Sequence, residues 1–153
     1  MIRLSRLADY AVVAMTHIAA RADGVHNAVD VAQGTGLPVP TVSKVLARLC
    51  RGGLLTSQRG AKGGYTLSRP AAAISVAAIV SALDGPIGLT QCTLTEGEGC
   101  DVERVCPSRQ GVHKINLAMR RALEDVSLAD ILPTPFVFPL TPTAPLAALQ
   151  PTD

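Results

Sequence analysis

The chain has no uninterrupted apolar run approaching the ~20 residues of a membrane-spanning helix. Its first residues, Met1-Ile-Arg-Leu-Ser5, carry neither an apolar h-region nor a cleavage site, so no secretory leader is expected. There is no Ser/His/Asp arrangement, no phosphate-cradling glycine motif and no pair of carboxylates suited to acid–base work. An enzymatic role and a small-molecule substrate are therefore not expected. Cys-x-x-Cys pairs are also missing, which removes the usual signature of a zinc ribbon or thioredoxin-like site. These absences point to a cytoplasmic protein that is not an enzyme, in a compartment where thiols stay reduced and free to bind metal.

At 153 residues the chain fits one domain, or a small domain with an appendage. Its net charge of +2 conceals an asymmetry. Residues 1–70 hold nine Lys/Arg against Asp9, Asp23 and Asp30, whereas the remainder holds five against nine Asp/Glu. A basic half joined to an acidic half suggests a polyanion-binding module attached to a module of another kind.

Three of the four cysteines, Cys92, Cys100 and Cys106, fall in one loop with no helical or strand periodicity, at spacing C-x7-C-x5-C. Gly97 and Gly99 make the loop pliable and Pro107 ends it. Clustered soft thiolates on a bendable backbone suit a metal centre, and an odd number of thiols always leaves one outside a disulfide. An iron–sulfur cluster held by three cysteines and a fourth ligand from elsewhere is the favoured expectation. Zinc, a redox disulfide and inert loop thiols are the alternatives. Cys50 lies apart, at a helix end beside apolar positions, and is expected to be a small core residue.

Ser5 can cap a first helix running to about Arg21, with Leu7, Ala11, Ala14 and Ile18 on its apolar face. Asp9 stands in its first turn and His17 reads as a half-buried helix residue. A short segment, Ala28–Gln33, is expected to break at Gly34-Thr-Gly36. Leu37-Pro-Val-Pro then opens a helix over Thr41–Cys50, with Val42, Val45, Leu46 and Leu49 inward and Thr41, Ser43, Lys44 and Arg48 outward. This is a helix-turn-helix pattern. Leu54–Arg59 and Tyr65–Ser68 read as a hairpin whose tip carries Arg59 and Lys62, as a DNA-binding wing requires. Ser75 can cap a further helix closed by Asp84-Gly85-Pro86. A longer helix from Ser108 to about Val126 carries Val112, Ile115, Met119, Ala122 and Val126 as a narrow stripe, suited to a partner helix or to its own domain. One more turn is expected over Ser127–Leu132. Six of the eleven prolines fall in the last 21 residues, so a disordered tail is expected there, with Phe136 and Phe138 as the residues able to dock.

With these motifs placed, residues 1 to about 132 resemble the IscR/NsrR family of bacterial winged-helix transcription regulators. The resemblance is carried by Arg3-Leu-Ser-Arg-Leu-Ala-Asp-Tyr-Ala, Leu37-Pro-Val-Pro-Thr-Val-Ser-Lys-Val-Leu and Arg59-Gly-Ala-Lys-Gly-Gly-Tyr-Thr-Leu, then by Ile74–Pro86 leading into three cysteines. The wording around the second helix of the helix-turn-helix and Leu128-Ala-Asp-Ile-Leu is most similar to the subgroup regulating the SUF iron–sulfur assembly operon.

The resemblance implies a mainly α fold with a small β-hairpin wing. Its parts would be a winged helix-turn-helix domain (1–70), a connecting helix (71–87), a cluster-binding loop (88–107), a long C-terminal dimerisation helix (108–132) and a Pro-rich tail (133–153). It implies a homodimer on double-stranded promoter DNA, with Thr41, Ser43, Lys44, Arg48, Arg59 and Lys62 as candidate contacts. It also implies a [2Fe-2S] or [4Fe-4S] cluster on Cys92, Cys100 and Cys106. The first cysteine gap is longer than the family's usual five residues, which leaves the cluster type open. Asp9 matches an N-terminal carboxylate that some nitric-oxide-sensing members use as fourth ligand. His113 is the alternative, although relatives with a histidine ligand place it closer to the third cysteine. A repressor whose promoter affinity follows its cluster is the expected function. A nitric-oxide-sensing repressor and a zinc or thiol redox regulator are the alternatives.

Overall fold

Ser5 opens the first helix, α1 (Arg6–Ala19), by accepting the Ala8 amide on its hydroxyl at 3.1 Å. That bond satisfies one of the N–H groups a helix start leaves without an intrahelical partner. Ala8, Ala11, Ala14, Met15 and Ile18 form the buried face, at the three- and four-residue steps of one side of a helix. The structure is a computed structural model and describes residues 3–21, 23–60, 63–94 and 100–133. Lys62, Glu96, Gly97, Glu98, Gly99, Phe136, Phe138 and the rest of the expected tail after Pro133 lie outside the described residues.

Asn27 and Asp30 cap the second helix, α2 (Ala28–Thr35), with a reciprocal pair of side-chain-to-backbone bonds. The helix does not break at Gly34. Position 34 stays helical, and its lack of a side chain makes room for the His17 imidazole, which occupies the space a β-carbon would need. The stop is Gly36, whose φ of +72° is left-handed and whose amide bonds the Ala32 carbonyl at 2.8 Å.

Pro38 and Pro40 lie at the start of α3 (Val39–Arg51), where a missing N–H costs no helical bond. Val42, Val45, Leu46 and Leu49 face the core as expected. The chain then turns into a hairpin, β1 (Leu55–Gln58) and β2 (Gly64–Leu67), antiparallel with Leu55 opposite Leu67 and Gln58 opposite Gly64. The return strand has an anchor that periodicity did not suggest. His26 and Tyr65 exchange backbone bonds of 3.0 and 2.9 Å, tying the wing to the turn before α2.

Ser75 caps α4 (Val76–Asp84) through the Ala78 amide at 3.2 Å. Val76, Ile79, Val80 and Leu83 enter the same hydrophobic cluster as α1, α2, α3, Leu54 and Leu55. The contact with α3 is close: a β-carbon at Gly52 would lie 2.8 Å from the Ala82 β-carbon.

The last helix, α5 (Arg109–Glu124), buries one residue, Asn116, at 6% exposure. Its inward side is Val112, Asn116, Met119 and Leu123; of the expected apolar stripe, Val112 and Met119 face inward, whereas Ile115 (59% exposed), Ala122 and Val126 stay at the surface. After α5 the chain returns to the core. The Val76 amide bonds the Val126 carbonyl at 2.9 Å, the Leu128 amide bonds the Ile74 carbonyl at 2.7 Å, and Leu128 is fully buried. The expected turn follows, with the Asp130 amide on the Ser127 carbonyl at 3.1 Å, and Asp130 accepts the Ser127 hydroxyl (2.6 Å) and amide (2.8 Å). Those bonds, the hydroxyl's first, hold its carboxyl below the usual range. Among the described residues no helix is long and apolar enough to cross a membrane.

Candidate DNA-contacting surface and thiol loop

Helix α3 exposes Ser43 and Lys44 and leaves Thr41 half-buried. Val39 and Pro40, at its N-terminal end, are exposed apolar positions. Arg59, directly after β1, is exposed beside a shallow cleft lined by Asn27, Ala28, Ser57 and Tyr65. These are the groups a winged helix can offer to phosphates and groove edges.

Arg48 departs from the outward set. It is half-buried, and its Nη1 donates to the Leu83 carbonyl at 2.8 Å. That carbonyl lies in the last turn of α4, where acceptors lack intrahelical partners and a cation is favoured by the helix dipole. Arg48 therefore fastens α3 to α4. A neighbouring bond does the same for α1: the Ser5 hydroxyl donates to Asp84 Oδ1 at 2.7 Å.

Gly85 leaves α4 with φ +84° and ψ −163°, a conformation open to glycine alone, and Pro86 directs the chain toward the cysteines. The Leu89 amide is held at 3.1 Å by Asn116 Oδ1 of α5. Cys92 follows in a single 3-10 turn, Gln91–Thr93, closed by Thr90 and Thr93. Thr90 Oγ1 is in hydrogen-bond contact with Cys92 Sγ at 3.2 Å. Leu94 packs over Gly88, in a cleft also lined by Val80, Asp84 and Pro86. Cys100 and Cys106 lie on a second turn, where the Glu103 amide bonds the Cys100 carbonyl at 2.9 Å and Glu103 pairs with Arg109 at 2.9 Å. All four cysteines are free and half-buried, and Cys50 packs against the core as expected.

The donor chemistry suits a thiolate-bound group: three unbridged, partly accessible soft ligands on one loop. Among the described residues, however, no three His, Cys, Asp or Glu side chains converge as a metal site. Asp9 is exposed in the first turn of α1, next to Arg3, Ser5 and Arg6. His113 is exposed on α5, next to Arg109 and Lys114. One chain thus supplies candidate ligands without gathering them.

Residues 4–134 match the model of the Rrf2 family, described as iron-dependent transcriptional regulators. The chain belongs to the Rrf2 family. It is 30% identical over 132 residues to the HTH-type transcriptional regulator IscR of Yersinia pseudotuberculosis, covering 85% of this chain and 79% of that one. Its fold is similar to that of CymR, the global cysteine regulator of B. subtilis, with a TM-score of 0.67, 27% identity, and coverage of 85% and 95%. T. potens IscR is similar at a TM-score of 0.64 and 27% identity, with 84% and 85% covered. As an Rrf2 protein the chain is a winged-helix, DNA-binding transcriptional regulator and not an enzyme.

Two positioning residues escaped the sequence reading. Asn116 interrupts the apolar side of α5 one helical turn after Val112, a polar residue in a buried row, and that was the available signal. Asp84 was legible only as a helix end.

Proposed function

We propose that this Rrf2 regulator is a repressor that grips promoter DNA as a homodimer, with a grip set by the state of Cys92, Cys100 and Cys106. The observation carrying the proposal is the position of the thiol loop. It leaves the end of α4, which is bonded to both α1 and α3, and it is pinned to α5 at Leu89. Any change in how the three thiols are held acts on a segment continuous with the helix-turn-helix. An iron–sulfur cluster, when bound, would supply a redox- and nitric-oxide-sensitive centre, with Cys92, Cys100 and Cys106 as its ligands and Asp9, or else His113, completing the set. Likeness to IscR regulators supports this, and control of SUF assembly genes is the target class proposed.

The outer face of α5 supports the dimer. Ile115, Ala118 and Ala122 are exposed at three- and four-residue steps, the pattern of a helix that meets another helix. A second copy there would let two α3 helices address half-sites about 34 Å apart. Ser43, Lys44, Arg59 and Lys62 are the proposed DNA contacts, with Thr41 beside them.

One observation favours a second reading, a thiol redox regulator. Among the described residues the cysteines are free and do not converge with other ligands, and the fold is also similar to CymR. Anaerobic purification decides between the two readings. Brown protein with stoichiometric iron and acid-labile sulfide supports the cluster, and comparison of Asp9→Ala with His113→Ala names the fourth ligand. Colourless protein that takes up no iron leaves the thiol reading.

A further inference from the structure

On the strength of the sensing role proposed above, we infer that Arg48 is not a DNA contact but the positioning residue that conveys the thiol loop's state to α3. Three observations meet at the last turn of α4. Arg48 Nη1 donates to the Leu83 carbonyl at 2.8 Å, across 35 residues of sequence. The Ser5 hydroxyl reaches Asp84 at 2.7 Å. Leu94, two residues beyond Cys92, lies against Gly88 in the cleft that Asp84 also lines. Among the described residues these are the two side-chain hydrogen bonds that join the helices before the wing to the turn from which the thiol loop departs.

The geometry gives this bond leverage. Gly52, at the end of α3, lies so close to Ala82 that a β-carbon there would sit 2.8 Å from the Ala82 β-carbon, so α3 and α4 are in close contact beside this bond. The guanidinium, half-buried and committed to a carbonyl, is poorly placed to neutralise a phosphate. When residues 88–94 shift, Asp84 and Leu83 shift with them. Arg48 then pulls on the C-terminal half of α3, tilting the exposed Ser43 and Lys44. A small tilt matters because paired half-sites tolerate little misplacement.

The salt dependence of binding separates positioning from contact. A residue that neutralises a phosphate contributes about 0.9 to the slope of log affinity against log salt. A positioning residue contributes nothing to it. The full chain, as wild type, Arg48→Gln and Arg48→Lys, is titrated over a salt series. The probe is a duplex that the wild type selects from a random-sequence pool. Each protein is assayed after anaerobic reconstitution with iron and sulfide and again after chelator treatment, with thermal melts to verify folding. The expected result is an unchanged salt slope for Arg48→Gln. The affinity ratio between its two states should fall to about one, and Arg48→Lys, which keeps a charged donor, should restore part of that ratio. A slope shallower by about 0.9 with equal loss in both states would make Arg48 a phosphate contact and overturn the inference. So would an Arg48→Gln ratio equal to that of the wild type. A wild-type ratio of one counts against the sensing role instead, and the salt slope still decides whether Arg48 touches DNA.

Discussion

The imidazole of His17 lies over Gly34, in the space that any side chain at position 34 would fill. His17 also contacts the Arg21 guanidinium through Nδ1 at 2.8 Å, and its ring meets the His26 ring edge-on at 6.1 Å between centroids. One ring and one missing methyl group thus form a close contact between α1 and the first helix of the helix-turn-helix.

Gly34→Ala tests this contact with an unusual sign pattern. Alanine in a helix is worth about 0.8–1 kcal/mol over glycine, yet here its methyl must displace the ring and break the contact with Arg21. Displacing a packed side chain typically costs about 1–3 kcal/mol, so the single variant is expected to lie between break-even and about 2 kcal/mol destabilised. In a His17→Ala background the same change should stabilise by roughly 0.8 kcal/mol. Urea melts of the four proteins give the cycle, and equal effects in both backgrounds would remove His17 from the account.

Stability should also respond to pH through His17. Burial, then Arg21 and His26, hold its imidazole below the ordinary 6.5, with Asp30 pulling weakly the other way. Between the unfolded and the lowered folded value, the unfolded chain binds the extra proton. Stability from this group is thus full above about 6.5 and declines as pH falls toward the folded value. His17→Gln should flatten the decline over that window, read as thermal midpoints from pH 7.5 to 5. A His17→Gln profile as steep as that of the wild type contradicts the assignment.

Much of the fold was legible in the sequence because its signals are local. Ser5 and Ser75 cap where hydroxyls precede apolar periodicity, Pro38 and Pro40 fall where prolines are tolerated, and Leu54–Ser68 reads as a hairpin. The misses are all long-range. Gly34 looked like a helix breaker until His17, seventeen residues earlier, explained it. Arg48 looked like a surface cation until Leu83 claimed it. Leu128 read only as part of one more turn after α5, and the Ser75–Ser127 bridge brings it into the core. The thiol cluster was legible as composition, but its anchoring through Asn116 was not, since nothing local marks a bond across 27 residues.

Leu128→Ala should be among the costlier substitutions outside the helices. Removing a fully buried leucine side chain costs about 2–5 kcal/mol, and here the loss also loosens the return of α5 onto α4. A midpoint shift comparable to an exposed control such as Leu117→Ala would show that the C-terminal return is not part of the core.

Asn116→Ala should free the start of the thiol loop. It leaves the Leu89 amide without its acceptor, a loss of about 1–3 kcal/mol where the group stays buried. Under anaerobic labelling with iodoacetamide, Cys92 should react several-fold faster than in the wild type while Cys50 stays unchanged. Equal Cys92 rates in the two proteins would mean that Asn116 does not restrain the loop.

The central claim is that the state of Cys92, Cys100 and Cys106 sets the affinity of α3 and the wing for DNA. The most direct measurement compares operator binding by anaerobically reconstituted and metal-stripped full-length protein at one fixed salt concentration. Coupling between distant sites typically amounts to 5–150-fold in affinity, and a difference within that range is predicted. Identical affinity and identical sequence preference in the two states would contradict the claim, leaving a DNA-binding protein whose thiols serve another purpose.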